Sequence, residues 1–267
     1  MSIVWWDCSY SQVTIAPTNL FIDDQNKFGT YLVLNGSSQN QEISIEFLFG
    51  YSKTDEQGNR EWVFSDSTMA EIYSIHESVR AFPQNFVLPP GQRQVVRLRI
   101  NAPNDLDDGT YWARIKTSAI PETPPLELSS DDAISANIIM SFEQVTGLFY
   151  KKGTVLTSIE IENIQTSISS EENLLTIFTN YNRIGNSPFL GTITSTLLKG
   201  NDVVKDNFVS TSIYFDGTHR QILDIRDVPS GEYTVQVEFE GQRNDISSDN
   251  IIPMSESVSI TTTVTIP

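Results

Sequence analysis

Few side chains in this sequence are of the types, or at the spacings, that covalent or metal chemistry needs. His76 and His219 are the only histidines and stand far apart, which leaves little for imidazole acid–base work, and both read as surface residues. Cys8 is the single cysteine, so neither an internal disulfide nor a cysteine-based zinc site can form. Asp105, Asp107 and Asp108 crowd together, but a calcium loop needs regularly spaced oxygen ligands, and Asp107-Asp108-Gly109 already reads as a turn. Trp5 and Trp6 could stack on a sugar; clamping onto a β-sandwich is the commoner use of such a pair. There is no Gly-x-Ser-x-Gly, no His-Glu-x-x-His and no phosphate-cradling glycine loop. The expectation is a protein that is not an enzyme and has no cofactor or metal.

The chemistry that remains is that of the backbone. In Ile134–Glu143, residues Ile134, Ala136, Ile138, Met140 and Phe142 share one face, and Ser135, Asn137, Ser141 and Glu143 share the other, with Ile139 the exception. Two readings fit. An internal strand of a sandwich has this pattern, and so does an edge strand that lends its apolar row and its unpaired N–H and C=O groups to another chain.

Such a strand must be held by a framework, and 267 residues suit two domains of about 100–150 residues each. Helical periodicity is almost absent; two-residue alternation returns between Gly, Pro, Asn and Asp clusters. Strands are expected in the first half at 12–15, 19–22, 28–35, 41–51, 61–64, 81–87, 92–100, 110–117 and 134–150. The second half suggests seven more, at 154–164, 173–180, 190–198, 202–212, 220–225, 233–239 and 257–266. Turns are expected at Asp55–Gly58, Pro89-Pro90-Gly91 and Asp107–Gly109, and a long exposed loop at Ile120–Asp132. Lys151-Lys152-Gly153 reads as a hinge. The fold class is therefore all-β, with two immunoglobulin-like sandwich domains, 1–150 and 151–267, joined by a short hinge.

The net charge of −17 argues against nucleic acid or anionic lipid as a partner. No apolar run is long enough to span a membrane, and MSIVWWDCSYS lacks the basic and apolar regions of a signal peptide. Either the protein is cytoplasmic or the sequence starts at a mature terminus.

Five segments in order resemble a known family: VTIAPTNLFI, FPQNFVLPPGQRQVVRLRI, YWARIKTSAIP before a long loop, the alternating strand, and LFYKK. Over most of the first 150 residues the chain resembles the PapD-like periplasmic chaperones of pilus assembly. The resemblance implies an L-shaped pair of immunoglobulin-like domains, a periplasmic or secreted location, and protein subunits as partners bound by strand addition. Ile138, Met140 and Phe142 would be the donated side chains, and the same strand could pair with a copy of itself. In that family a basic pair anchors the subunit's terminal carboxylate; the matching positions are Asn19 and Gly147, neither of which carries charge. Lys151 and Lys152 are the substitutes at hand. The alternative is a structural or adhesive surface protein built from the same sandwiches, since one fold serves many functions.

Overall fold

The computed structural model describes residues 13–122 and 141–267. The first half supplies β1 (Val13–Ala16), β2 (Asn19–Asp23), β3 (Phe28–Asn35), β4 (Gln41–Leu48), β5 (Tyr51–Thr54), β6 (Arg60–Val63), α1 (Ser67–Tyr73), β7 (Val79–Phe82), β8 (Asn85–Leu88), β9 (Arg93–Ile100), β10 (Gly109–Pro121) and β11 (Phe142–Lys152). The second supplies β12 (Thr157–Ser169), β13 (Leu174–Gly185), β14 (Phe189–Lys199), β15 (Asp202–Ile213), β16 (Gly217–Asp224), β17 (Gly231–Glu240) and β18 (Val258–Ile266). The all-β class read from the sequence is what the chain adopts, with one short α-helix among the described residues, α1, that the sequence reading did not anticipate.

Contacts divide the chain into two units. The first takes the chain up to Phe49, Met69–Leu106 and Trp112–Tyr150; the second takes Gly50–Thr68, Asp107–Tyr111 and Lys151–Pro267. In the first unit one sheet runs β1-β3-β9-β7 and the other β2-β11-β10-β4-β8. Proline decides where the chain changes sheet. Pro17 and Pro83 have no N–H to give to a ladder, so each ends a strand and the chain resumes in the opposite sheet. This corrects the single strand expected over 81–87: β7 pairs with β9, and after Pro83 β8 pairs with β4. Trp112 lies buried between Phe49 and Tyr73, with ring centroids 5.8 and 5.0 Å away. Tyr73 is the last residue of α1, so the helix serves to lay an aromatic ring on this core.

The strand expected over 41–51 likewise ends early, at Leu48. Tyr51 opens a hairpin, β5–β6, whose turn is built as expected: Asp55 Oδ1 accepts from the N–H groups of Gln57 (2.9 Å) and Asn59 (2.7 Å), and Gly58 takes φ +72°. That hairpin belongs to the second unit. Tyr51 meets the Phe215 ring edge-on at 4.8 Å, and Arg60 donates to the Ser212 carbonyl at 3.0 Å.

The second unit stacks β12-β13-β16 on β15-β14-β17-β18. Its core centres on Phe239, fully buried, with Tyr181 and Phe189 at 5.8 and 6.0 Å. His219, on β16, is not the surface residue expected. Its Nε2 lies 3.2 Å from Gln221 Oε1, which also accepts from Ser195 Oγ at 2.8 Å. Burial, with Arg60 nearby, pushes the imidazole below its usual value, although the Gln221 contact opposes the shift. Folding thus favours the neutral ring. As pH falls, the unfolded chain takes up a proton first, near pH 6.5, and stability present above that value is lost as pH drops through the folded value. The expected slope is at most about 1.4 kcal/mol per pH unit for the one proton. Denaturation of the second unit between about pH 8 and about pH 5 should show this slope, and His219→Gln should flatten it; an unchanged slope in the variant would place the titration elsewhere.

Candidate functional site

Of the apolar row Ile138, Met140 and Phe142, the first two lie outside the described residues, as do Cys8, Trp5 and Trp6. Phe142 begins β11 and is half-buried. The register of β11 beside β10 is marked by a charged rung on the exposed face: Lys116 Nζ lies 2.9 Å from Glu143 and 3.6 Å from Glu46, its direct partner on β4. Ser118 Oγ also donates to Glu143 at 3.3 Å. These neighbours hold the Glu143 carboxyl below the usual range, the Lys116 hydrogen bond most of all.

On its other side β11 is flanked by β2. A strand of five residues cannot cover one of eleven. The Gly147 N–H donates to the Thr18 carbonyl at 2.9 Å, at the point where β2 begins. Phe21 stacks on Phe149 at 5.1 Å and Tyr150 Oη donates to Asp24 at 2.6 Å, so β2 runs on beside the second half of β11, which is the covered part. Among the described residues, no strand lies along the outer edge of Phe142–Thr146. Val145, 45% exposed, adds an apolar side chain to this open stretch.

At the end of the open edge four residues meet. A Cβ built on Gly147 would stand 2.5 Å from Asn19 Oδ1, 3.1 Å from the Phe149 ring and 3.3 Å from Arg114 Nη1. Asn19 and Gly147, singled out separately in the sequence, are thus adjacent in space. They are also interdependent, because the Asn19 side chain occupies the room that a side chain at 147 would need. The cation at this place is Arg114, on β10 and 5% exposed. Sequence reading missed it. The available signal was the first of two charged residues in YWARIKTSAIP, set within Tyr111–Ile115, which is buried on both faces of the strand. Lys151 has a different setting: its Nζ donates to the Asn250 carbonyl at 2.6 Å within the second unit, and Lys152 follows it there, half-buried.

Several solved structures match over nearly the whole chain. The chain is similar to pilus chaperones. It matches the CsuC–CsuE chaperone–tip adhesion subunit pre-assembly complex from Csu pili of Acinetobacter baumannii at 10% identity and TM-score 0.45, covering 94% of this chain and 98% of that one. It matches the E. coli chaperone DraB at 15% identity and TM-score 0.44, covering 93% and 97%. The Pseudomonas aeruginosa CupB2 chaperone matches at 12% identity and TM-score 0.44, covering 93% and 98%. No protein-family model matches the sequence, and no curated protein does. Among the described residues no group of His, Cys, Asp and Glu could hold a metal ion, and no helix is long and apolar enough to cross a membrane.

Proposed function

We propose that this chain is a non-enzymatic assembly chaperone of the periplasm or of a secreted compartment, and that it binds protein subunits by strand addition along β11. The observation that carries this reading is the outer edge of Phe142–Thr146, which no described strand covers and which ends beside a buried guanidinium. An extended segment laid along that edge would satisfy its backbone groups, and the row Ile138, Met140 and Phe142 would supply side chains to the partner's core. Arg114 would take over the task of the missing basic pair, since a guanidinium presents two parallel N–H groups to a terminal carboxylate.

The probe is an alternating apolar peptide made in two forms, with a free C-terminal carboxylate and with an amide. Hydrogen bonds to a charged group contribute about 1.5–3 kcal/mol, so the carboxylate form should bind roughly 10–100-fold more tightly. Arg114→Met should close that gap, and Arg114→Lys, which keeps the charge if the methionine variant folds poorly, should restore part of it. Phe142→Lys should weaken both forms with little change in thermal stability. If neither form binds, or if Phe142→Lys leaves binding untouched, strand addition at β11 is wrong. Equal binding of the two forms would remove Arg114 from the site.

A further inference from the structure

On the opposite sheet of the first unit, alternation turns Val96, Leu98 and Ile100 of β9 inward and leaves Arg93, Val95, Arg97 and Arg99 outward. The register sets their neighbours. Arg99 stands between Phe28 on β3 and Arg80 on β7; Arg97 stands between Thr30 and Phe82. Further along, Val95 lies opposite Leu32, and Arg93 opposite Leu34. Four arginines thus share one face of a chain that has only 17 basic residues against 34 acidic ones. The strands β1, β3, β7 and β9 contain no Asp or Glu at all.

Nothing within the described residues neutralises this face. No described Asp or Glu forms an ion pair with any of the four arginines. Arg99 lies 5.7 Å from the centroid of the Phe28 ring, and Arg80 donates to the backbone carbonyls of Glu77 (2.8 Å) and Val79 (2.7 Å). Like charges directly opposite across a sheet destabilise it, and Arg80 and Arg99 are such a pair. The apolar members of the face are equally uncovered, with Phe28 61%, Phe82 60% and Val95 49% exposed.

We propose that the outward face of β3, β9 and β7 is a docking surface for an acidic protein segment. Charge complementarity selects an anion, and composition selects protein. Arginine interleaved with phenylalanine, without lysine, is the make-up of interface centres, where the planar guanidinium grips carboxylates in bidentate fashion. Arg97 and Arg99 are two residues apart on one strand, about 6.6–6.8 Å, which is the spacing of alternate side chains on an extended partner. A membrane or a nucleic acid is a broader object and would also meet the acidic remainder of the molecule, whereas a short segment lies within a screening length of about 8–10 Å of the patch alone. This surface does not depend on strand addition at β11, and the two can fail separately.

The test uses the full chain and a fluorescent peptide of alternating Glu and Val, capped at both ends so that no terminal carboxylate is present. Binding should weaken at least about tenfold in the double variant Arg97→Glu/Arg99→Glu, and also between about 0.05 M and about 0.3 M salt. The same variant should gain affinity for an alternating Lys-Val peptide. Arg97→Lys/Arg99→Lys should bind the Glu-Val peptide more weakly than the wild type but better than the charge reversal. Both side chains concerned are exposed, so an unchanged melting temperature serves as the control for folding. Equal binding of the Glu-Val peptide by the wild type and the charge reversal would overturn the proposal. So would arginine-dependent binding to phosphatidylglycerol vesicles without peptide binding, or arginine-dependent dimerisation in sedimentation.

Discussion

Replacing Phe239 with alanine should remove about 3–5 kcal/mol from the second unit, and replacing Trp112 with alanine should remove a similar amount from the first. Both side chains are at most 1% exposed and each is enclosed by other rings, so neither site can collapse cheaply around the lost volume. The second half of the expectation is that the two losses are separate. If each unit folds around its own core, calorimetry should show Phe239→Ala lowering one transition and Trp112→Ala the other. One transition that both variants lower equally would mean that the units unfold as a single cooperative body.

Gly147→Ala should cost about 1–3 kcal/mol, because the new methyl must displace the Asn19 amide, the Phe149 ring or the Arg114 guanidinium from close-packed positions. The tightest contact is with Asn19 Oδ1, at 2.5 Å. Asn19→Ala should therefore relieve much of the strain, and a double-mutant cycle should return a coupling of about 0.5–3 kcal/mol. Chemical denaturation of the four proteins is sufficient to measure it. Additive losses would show that Asn19 does not fill the space above Gly147, and the account of why this position carries no side chain would fail. If the coupling is found, placing a lysine at 147 alone would not recreate a basic anchor, since Asn19 would have to leave first.

Much of this molecule was legible because a strand with one buried face writes that face into its sequence. β3 was expected over Phe28–Asn35 and occupies those residues; β9, with its alternating valines, leucine and arginines, was expected one residue longer. The Asp55–Gly58 turn was equally readable, since its carboxylate and its glycine perform local tasks. Allegiance was not legible. The pattern of Tyr51–Val63 says that a hairpin forms, but the partners that claim it, Ser212 and Phe215, are some 150 residues away and leave no trace in its alternation. The break at Pro83 was hidden for a related reason: apolar residues on both sides of it suggested one strand, while the missing N–H assigns them to two sheets. At the site, Asn19 and Gly147 were found one by one, but their contact with Arg114 was not, because β10 is buried on both faces and periodicity cannot say what one charged residue there faces.

The allocation of the β5–β6 hairpin bears on how such a chain can be inherited. The chain passes from one unit to the other after Phe49, Thr68, Leu106, Tyr111 and Tyr150. A single break after Tyr150 keeps every segment of the first unit in one product, but no single break separates the second unit whole from the first. A product starting at Lys151 would lack Tyr51, the ring that meets Phe215, and Arg60, which binds the Ser212 carbonyl. Recombination at the apparent boundary would thus leave each chimera with a second unit assembled from two unrelated parents, matched only if both kept the same contacts. Exchange of loops within one unit carries no such penalty. The hairpin and the chain after Tyr150 are therefore constrained to diverge together, and variation in the lineage should accumulate in loops rather than by the swapping of whole halves.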